Sequence, residues 1–296
     1  MLEIAIIGQT ASGKSDLAIN IAIKLNAYIL SLDSLSIYKE IDIVSAKPSK
    51  DELSSVKHFG VDEIYPNEEF SVNRFFEFYK NAKANAKRDS KNLIIVGGTG
   101  FYLKSMIEGL SELKIDLETK KVVKEQMQNL ESAYTLLNKI DREYASKISN
   151  SDRYRVEKAL NIYFQYKKSP TEFFKASKKD KTIENIDIFE IETERDIIRD
   201  RIKRRTEKMI ETGLIDEIFY LEKKYKREIN PMKAIGVKET LEYLDGYYDL
   251  EVLKEKISVN TARLAKRQKT FNKSQFRDIT KDSFTNLDKI ILNRYL

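Results

Sequence analysis

No cysteine and no tryptophan occur in this 296-residue chain, and it has one histidine and four prolines. Without cysteine, disulfides and thiolate metal sites are excluded. No apolar run approaches the ~18 residues that a bilayer-spanning helix requires, so no membrane partner is expected. The start, Met1-Leu2-Glu3, has no basic segment ahead of an apolar stretch, which argues against a signal peptide. Internal repeats and low-complexity tails are also absent. A cytoplasmic protein fits these exclusions, and a monomer is the expected state.

What is present suits a globular fold. Hydrophobic residues make up 41% of the chain and charged residues 34%, enough for a sizeable core under a solvated surface. The length suggests one domain with a large insertion, or two unequal domains. Net charge is +6, unevenly spread: residues 1–150 hold 20 Lys/Arg against 21 Asp/Glu, whereas residues 151–296 hold 33 against 26. Between Asn260 and Arg277 there are six basic residues, Arg263, Lys266, Arg267, Lys269, Lys273 and Arg277, and no acid. Such a run is either a solvated helix face or a stripe that gains from counterion release on a polyanion. Its single sign favours a polyanionic partner.

The apolar run Ile4 to Ile7 reads as a buried strand, followed by a Gly-rich turn and helical spacing from Lys14 to Leu25. Tyr28 to Leu32 and Leu93 to Val96 read as further strands. The latter runs into Gly97-Gly98-Thr99-Gly100 and a helix through Leu103, Met106 and Ile107. Strands alternating with helices predict an α/β fold, a P-loop NTPase-like core whose parallel sheet is flanked by helices. Sites in such sheets lie at the carboxyl ends of the strands. From residue 113 to 181 the pattern changes to short amphipathic helices, predicting a mostly helical insertion domain between core segments 1–112 and 182–296. Ile186 to Ile191 returns as a strand, one long helix is predicted from Thr193 to Tyr225, and the part from Pro231 onward is predicted to be helical. Phe70, Phe75, Phe76, Phe78 and Tyr79 read as core.

The stretch GQTASGKS, residues Gly8, Gln9, Thr10, Ala11, Ser12, Gly13, Lys14 and Ser15, carries the chemistry. It matches G-x-x-x-x-G-K-[ST] directly after a strand and before a helix. The glycines permit a tight turn, successive amides form a nest for phosphate oxygens, Lys14 adds a point charge, and Ser15 can ligate Mg²⁺. ATP, GTP or another diphosphate would satisfy the loop equally. Asp33, at the end of the second strand, has three readings: a Mg²⁺ partner through water, a general base, or a turn cap.

The blocks DSLSIYKEIDIVSAKPS (33–49), IIVGGTGFYLKSMIEGL (94–110), DRYRVEKALNIY (152–163), RIKRRTEKMIETGLIDEI (201–218), AIGVKETLEYLDG (234–246) and LAKRQKTF (264–271) join GQTASGKS in a wider pattern. Together they resemble the tRNA dimethylallyltransferases, also called tRNA isopentenyltransferases, in the family's order and over nearly the whole chain. The resemblance implies transfer of a dimethylallyl group from dimethylallyl diphosphate to N6 of adenosine 37 of tRNA, next to the anticodon. The loop would then hold the donor's diphosphate with Mg²⁺, without ATP. Asp33 would take the amine proton, Thr99 would sit near the adenine, and Arg205 would contact the diphosphate. By the same resemblance the anticodon stem-loop of tRNA would be touched by Asp33, Ser34, Leu35, Ser36 and Thr99. Further contacts would come from Tyr154, Arg155, Val156, Glu157, Lys158, Lys233, Lys238, Lys266, Arg267 and Lys273. Lys121 falls by ungapped counting from Thr99 at a basic tRNA-touching position, with Lys120 nearly as good.

The chain departs from the family in places. Gln9 stands where proline is usual, which leaves every loop amide available. The paired histidines common in the family are reduced to His58, read as structural, and Phe271 replaces a frequent tryptophan. The alternative function is a P-loop nucleotide or metabolite kinase, with Arg195 to Arg205 as its lid; it leaves the basic stretch and the GGTGFYL turn unexplained. A non-enzymatic RNA-binding protein would leave Asp33, Thr99 and Arg205 without work.

Overall fold

The computed structural model describes residues 1–110, 113–177 and 181–296. The chain forms two compact units, one of Met1–Ile107 with Ile183–Leu296 and one of Glu108–Thr182.

In the first unit, six strands make one all-parallel sheet. They are β1 (Glu3–Gly8), β2 (Ala27–Ser31), β3 (His58–Phe59), β4 (Asn92–Gly97), β5 (Asp187–Ile191) and β6 (Thr280–Asp282), in the order β3-β2-β4-β1-β5-β6. β1 and β4 are buried from their second residue onward. A strand covered on both faces needs no polar alternation, hence the continuous apolar runs. Ile4 and Ile6 point to one face, against Leu17 and Ile21 of helix Lys14–Lys24 and Leu287 and Ile291 of helix Phe284–Tyr295. Ala5 and Ile7 point to the other, against Phe75 and Tyr79 of helix Val72–Arg88 and Leu103 and Met106 of helix Gly100–Glu108. Fully burying each such aliphatic side chain contributes about 1.5–3 kcal/mol. A third core joins Ile37, Ile41 and Val44 to Leu214, Ile218, Val237 and Leu253, fixing the segment after β2 to the C-terminal helices.

Two expectations need correction. The single helix from Thr193 to Tyr225 is two helices, Arg195–Glu211 and Leu214–Tyr225. Gly213, at φ +102°, turns the chain between them in a conformation that a side chain disfavours. The segment beyond Pro231 is not wholly helical, because Thr280–Asp282 pairs with β5 as the sheet's last strand.

Among the described residues the second unit has the helices Leu117–Gln126, Leu130–Ile140, Arg142–Ala145, Arg153–Tyr166 and Pro170–Ala176. Asp116, Asn129, Asp141, Asp152 and Ser169 each cap one of them with a side-chain oxygen, a contact worth about 1 kcal/mol apiece. Val123, Met127, Leu137, Val156 and Leu160 form its core.

Candidate active site

The register of the sheet assembles the site. Ile7 lies beside Gly97, Ser31 lies beside Val96, and the Leu32 amide donates to the Val96 carbonyl at 2.7 Å. The residues that follow these strands, the loop from Gly8, Asp33 and Thr99, therefore emerge at one edge. Gly97 permits this closeness, since a Cβ there would meet Leu32 Cβ at 2.6 Å.

Within the loop, Gly13 adopts φ +91° as the N-cap of helix Lys14–Lys24 and offers no side-chain cap. The first amides of that helix are left for an anion. The Ser12 hydroxyl is buried without a hydrogen-bond partner among the described residues. Half-buried Lys14 donates to the Gln9 carbonyl at 3.2 Å. Burial pulls its ammonium down to about 8; Asp33 opposes the shift, and the Arg205 charge adds to it. Two further side chains hold the loop: Arg201 donates to the Ala11 carbonyl at 3.2 Å, and Gln268 accepts from Thr10.

Asp33 Oδ1 accepts from the amides of Leu35 (2.8 Å) and Ser36 (3.1 Å), so the turn-capping reading is realised on one oxygen. Oδ2 accepts no hydrogen bond among the described residues. Arg205, half-buried on helix Arg195–Glu211, donates to the Ser45 carbonyl at 3.5 Å. Burial lowers its pKa and the Asp33 carboxylate counters that. The segment carrying Ser45 is gripped by Glu217, which accepts from the amides of Asp42, Ile43 and Val44 at 2.8, 2.7 and 3.0 Å.

Two cavities meet here. One, of about 100 Å³, is lined by Lys14, Ser15, Asp33 and Arg205, with His58 on its wall. The other, of about 330 Å³, is lined by Asp33, Thr99, Arg205, Lys233 and Gln268. Thr10, Asp33, Ser45 and Arg205 line both. His58 Nδ1 lies 2.7 Å from the Val56 carbonyl, which only accepts, so Nδ1 carries the proton. Its pKa is lowered by burial, against that hydrogen bond and the Glu52 charge.

The other sequence candidates are more scattered. Ser34 is exposed, Leu35 and Thr99 are half-buried, and Ser36 is buried. Lys233 and Lys238 are exposed, the latter 3.7 Å from Glu242. Lys266, Arg267 and Lys273 lie exposed on helix Leu250–Gln275, whose Phe271 approaches Gly100 so closely that a Cβ there would meet its ring at 3.0 Å. In the helical unit Lys120, Lys121 and Glu157 are exposed, Lys158 stands 5.6 Å from the Tyr154 ring centroid, and Arg155 pairs with Asp152 at 2.9 Å. Val156 is fully buried in that unit's core, so its side chain packs and does not face solvent. Sequence reasoning missed Gln268 and Arg201 as supports of the loop and Glu217 as the support of the Asp42 to Val44 segment. All three lie within the blocks that carry the resemblance, but only the fold reveals what they touch.

A parallel sheet with this loop at its carboxyl edge is a P-loop-like architecture, and a carboxylate coupled to two cations between joined cavities suits a transferase that uses a phosphorylated donor. A family model described as IPP transferase matches residues 36–275. A tRNA dimethylallyltransferase of Sulfurovum sp. is 56% identical over 292 residues, covering 98% of this chain and 97% of that one. The crystal structure of a tRNA isopentenylpyrophosphate transferase from Bacillus halodurans matches 99% of this chain and 94% of its own, with TM-score 0.72 and 30% identity. A eukaryotic dimethylallyltransferase acting on tRNA matches 98% of this chain and 75% of its own, with TM-score 0.82 and 26% identity. The chain belongs to the tRNA dimethylallyltransferase family.

Proposed function

We propose that the protein transfers the dimethylallyl group of dimethylallyl diphosphate to N6 of adenosine 37 of tRNA, beside the anticodon, and releases diphosphate. The observation that carries this reading is the sharing of Asp33 and Arg205 by the two cavities. The smaller cavity, with the loop amides, Lys14 and Arg205, suits a diphosphate. The larger suits a base turned out of an anticodon loop, an extrusion that costs a few kcal/mol and least where the base is loosely held.

In the reaction a bond forms between N6 and C1 of the prenyl group while the bond from C1 to the diphosphate oxygen breaks. Negative charge grows on the departing diphosphate, and Lys14, Arg205 and the loop amides stabilise it, each such preorganised donor being worth about 3 kcal/mol. The amine is a weak nucleophile because its lone pair is delocalised into the purine. Asp33 accepts its proton at Oδ2, the oxygen left unengaged by the turn, a role commonly worth about 10²–10⁴ in rate. Thr99 orients the amine or the bridging oxygen.

The Ser15 hydroxyl, exposed and lining the smaller cavity together with Asp33, would hold Mg²⁺. Bound there, Mg²⁺ would neutralise charge on the leaving group. The anticodon stem-loop would rest on Ser34 to Ser36, Lys233, Lys238 and the Lys266 to Lys273 face, with Lys121, Tyr154, Arg155, Glu157 and Lys158 of the helical unit as further contacts. The proposal extends to a monomer working in the cytoplasm.

The decisive assay incubates the protein with unmodified tRNA, Mg²⁺ and either labelled dimethylallyl diphosphate or γ-labelled ATP. Label reaching tRNA from the prenyl donor is the expected result. Transfer from ATP alone would establish the kinase alternative, and tRNA binding with no transfer from either would leave an RNA-binding protein.

A further inference from the structure

Helices Arg195–Glu211 and Leu250–Gln275 form, besides the larger cavity of the candidate site, a separate groove of about 580 Å³. The two share no lining residue. The groove is lined by Arg195, Arg199, Arg263, Lys266 and Lys269 and by no acid, over an apolar floor that includes buried Ile198 and Ala265.

None of these five cations pairs with a carboxylate among the described residues. Arg263 bonds only to the amide oxygen of Asn260, at 3.1 Å. Elsewhere on helix Arg195–Glu211 the opposite holds, since Arg204 sits 2.8 Å from Asp200. Uncompensated like charges facing each other across a groove repel, and a polyanion relieves that repulsion while releasing its own counterions. The cations form two rows, Arg195 and Arg199 one turn apart on one helix, and Arg263, Lys266 and Lys269 at three-residue steps on the other. Steps of three residues advance about 4.5 Å along a helix. Paired rows of this kind suit a repeating anion better than a single diphosphate, which the loop already accommodates.

The groove borders the candidate site, because Gln9 of the loop is among its lining residues. Lys266 lines both the groove and a recess that contains Arg267 and Phe271, and Phe271 packs against Gly100, the neighbour of Thr99. From Arg263 to Lys273 the helix advances about 15 Å. We infer that this groove binds the phosphodiester backbone of the tRNA substrate away from the nucleotide being modified, extending the footprint beyond the anticodon-loop contacts. The inference rests on the reading of tRNA as substrate.

The test measures tRNA affinity across salt concentrations for the wild type, for Arg195→Gln with Arg199→Gln, and for Arg263→Gln alone. Each lost phosphate contact should reduce the slope of log K against log[salt] by roughly 0.7–0.9. The double variant should bind tRNA about tenfold more weakly near 0.15 M salt, with an unchanged KM for the prenyl donor. Arg195→Lys with Arg199→Lys, which keeps the charge, should keep the slope. All the substituted side chains are exposed, and unchanged thermal unfolding confirms that the variants fold. A wild type with no measurable tRNA binding would overturn the substrate reading itself. A steep wild-type slope retained in both Gln variants would overturn only the groove, as would a loss confined to donor affinity, which would mark a small-diphosphate site.

Discussion

Gln268 accepts two hydrogen bonds from Thr10, one from the backbone amide at 2.7 Å and one from the hydroxyl at 3.1 Å. A helix near the C-terminus thereby pins a phosphate loop near the N-terminus, and the same side chain lies against Gly98 without room for a Cβ. Gln268→Ala would leave the Thr10 amide without its acceptor, a loss of about 1–3 kcal/mol in a part-buried setting. The donor KM should rise about tenfold, with a smaller decrease in melting temperature. Steady-state kinetics at varied donor concentration check this; a KM equal to that of wild type would show that the loop holds its shape unaided.

Glu217 should matter to Arg205 without touching it. Its carboxylate gathers three successive amides, and the chain they belong to continues into the Ser45 carbonyl that Arg205 approaches. Glu217→Gln offers one acceptor oxygen in place of two, so at least one amide loses its partner. If Arg205 contacts the diphosphate as proposed, turnover should fall about tenfold or more, because that arginine loses its anchor, and Glu217→Asp should recover part of it. A fall in thermal stability with turnover intact would mean that the clasp serves the fold alone.

Lys14 gives a prediction with a sign. Its value of about 8 in the folded protein lies below the 10.5 of a free lysine. Between these values the unfolded chain binds more protons, so stability rises with pH through that window, and below about 8 the folded state carries the full penalty of a desolvated ammonium. Lys14→Met, measured with chelator present, should therefore melt higher than wild type at pH 7, and the difference should shrink as pH approaches 10.5. The same variant should lose donor affinity and turnover together, since the charge serves ground and transition states alike. A variant less stable than wild type at pH 7 would contradict the burial penalty, and unchanged donor kinetics would contradict the assignment of the loop.

Much of this fold is legible in sequence where the signal is local. The runs Ile4 to Ile7 and Leu93 to Val96 have no polar alternation because both faces are covered, and the loop's glycines and Lys14 stand in fixed order. The parts that escape reading depend on distant partners. Thr280-Lys281-Asp282 has no apolar pattern and is a strand only because β5 presents an open edge to it. His58-Phe59 is two residues long and adds to the edge offered by β2. Gly213 interrupts a helical pattern that runs on either side of it, and one glycine is tolerated in many helices. Asp33, Thr99 and Lys14 are visible as chemistry-bearing residues, whereas the supports Gln268 and Glu217 are ordinary polar residues until the chain closes on itself. Within the quoted stretch Tyr154 to Lys158, helical periodicity assigns Val156 to the core.

Asp33 offers the sharpest discrimination, because only one of its two oxygens is engaged by the turn. Oδ1 holds the turn through the Leu35 and Ser36 amides, and Asn can keep that acceptor, so Asp33→Asn should leave the turn intact. The position of Oδ2 would then carry an amide group that cannot accept a proton. If Asp33 is the general base, turnover should drop roughly 10²-fold or more. Donor affinity should stay near normal or tighten slightly, because a negative charge beside Lys14 and Arg205 has been removed. If Asp33 instead helps to hold Mg²⁺, the loss should appear in donor affinity, and excess Mg²⁺ should partly restore activity. Measuring turnover, donor Kd and Mg²⁺ dependence on this one variant separates the two. Near-normal turnover at every Mg²⁺ concentration would sink both roles and leave the carboxylate with its turn alone.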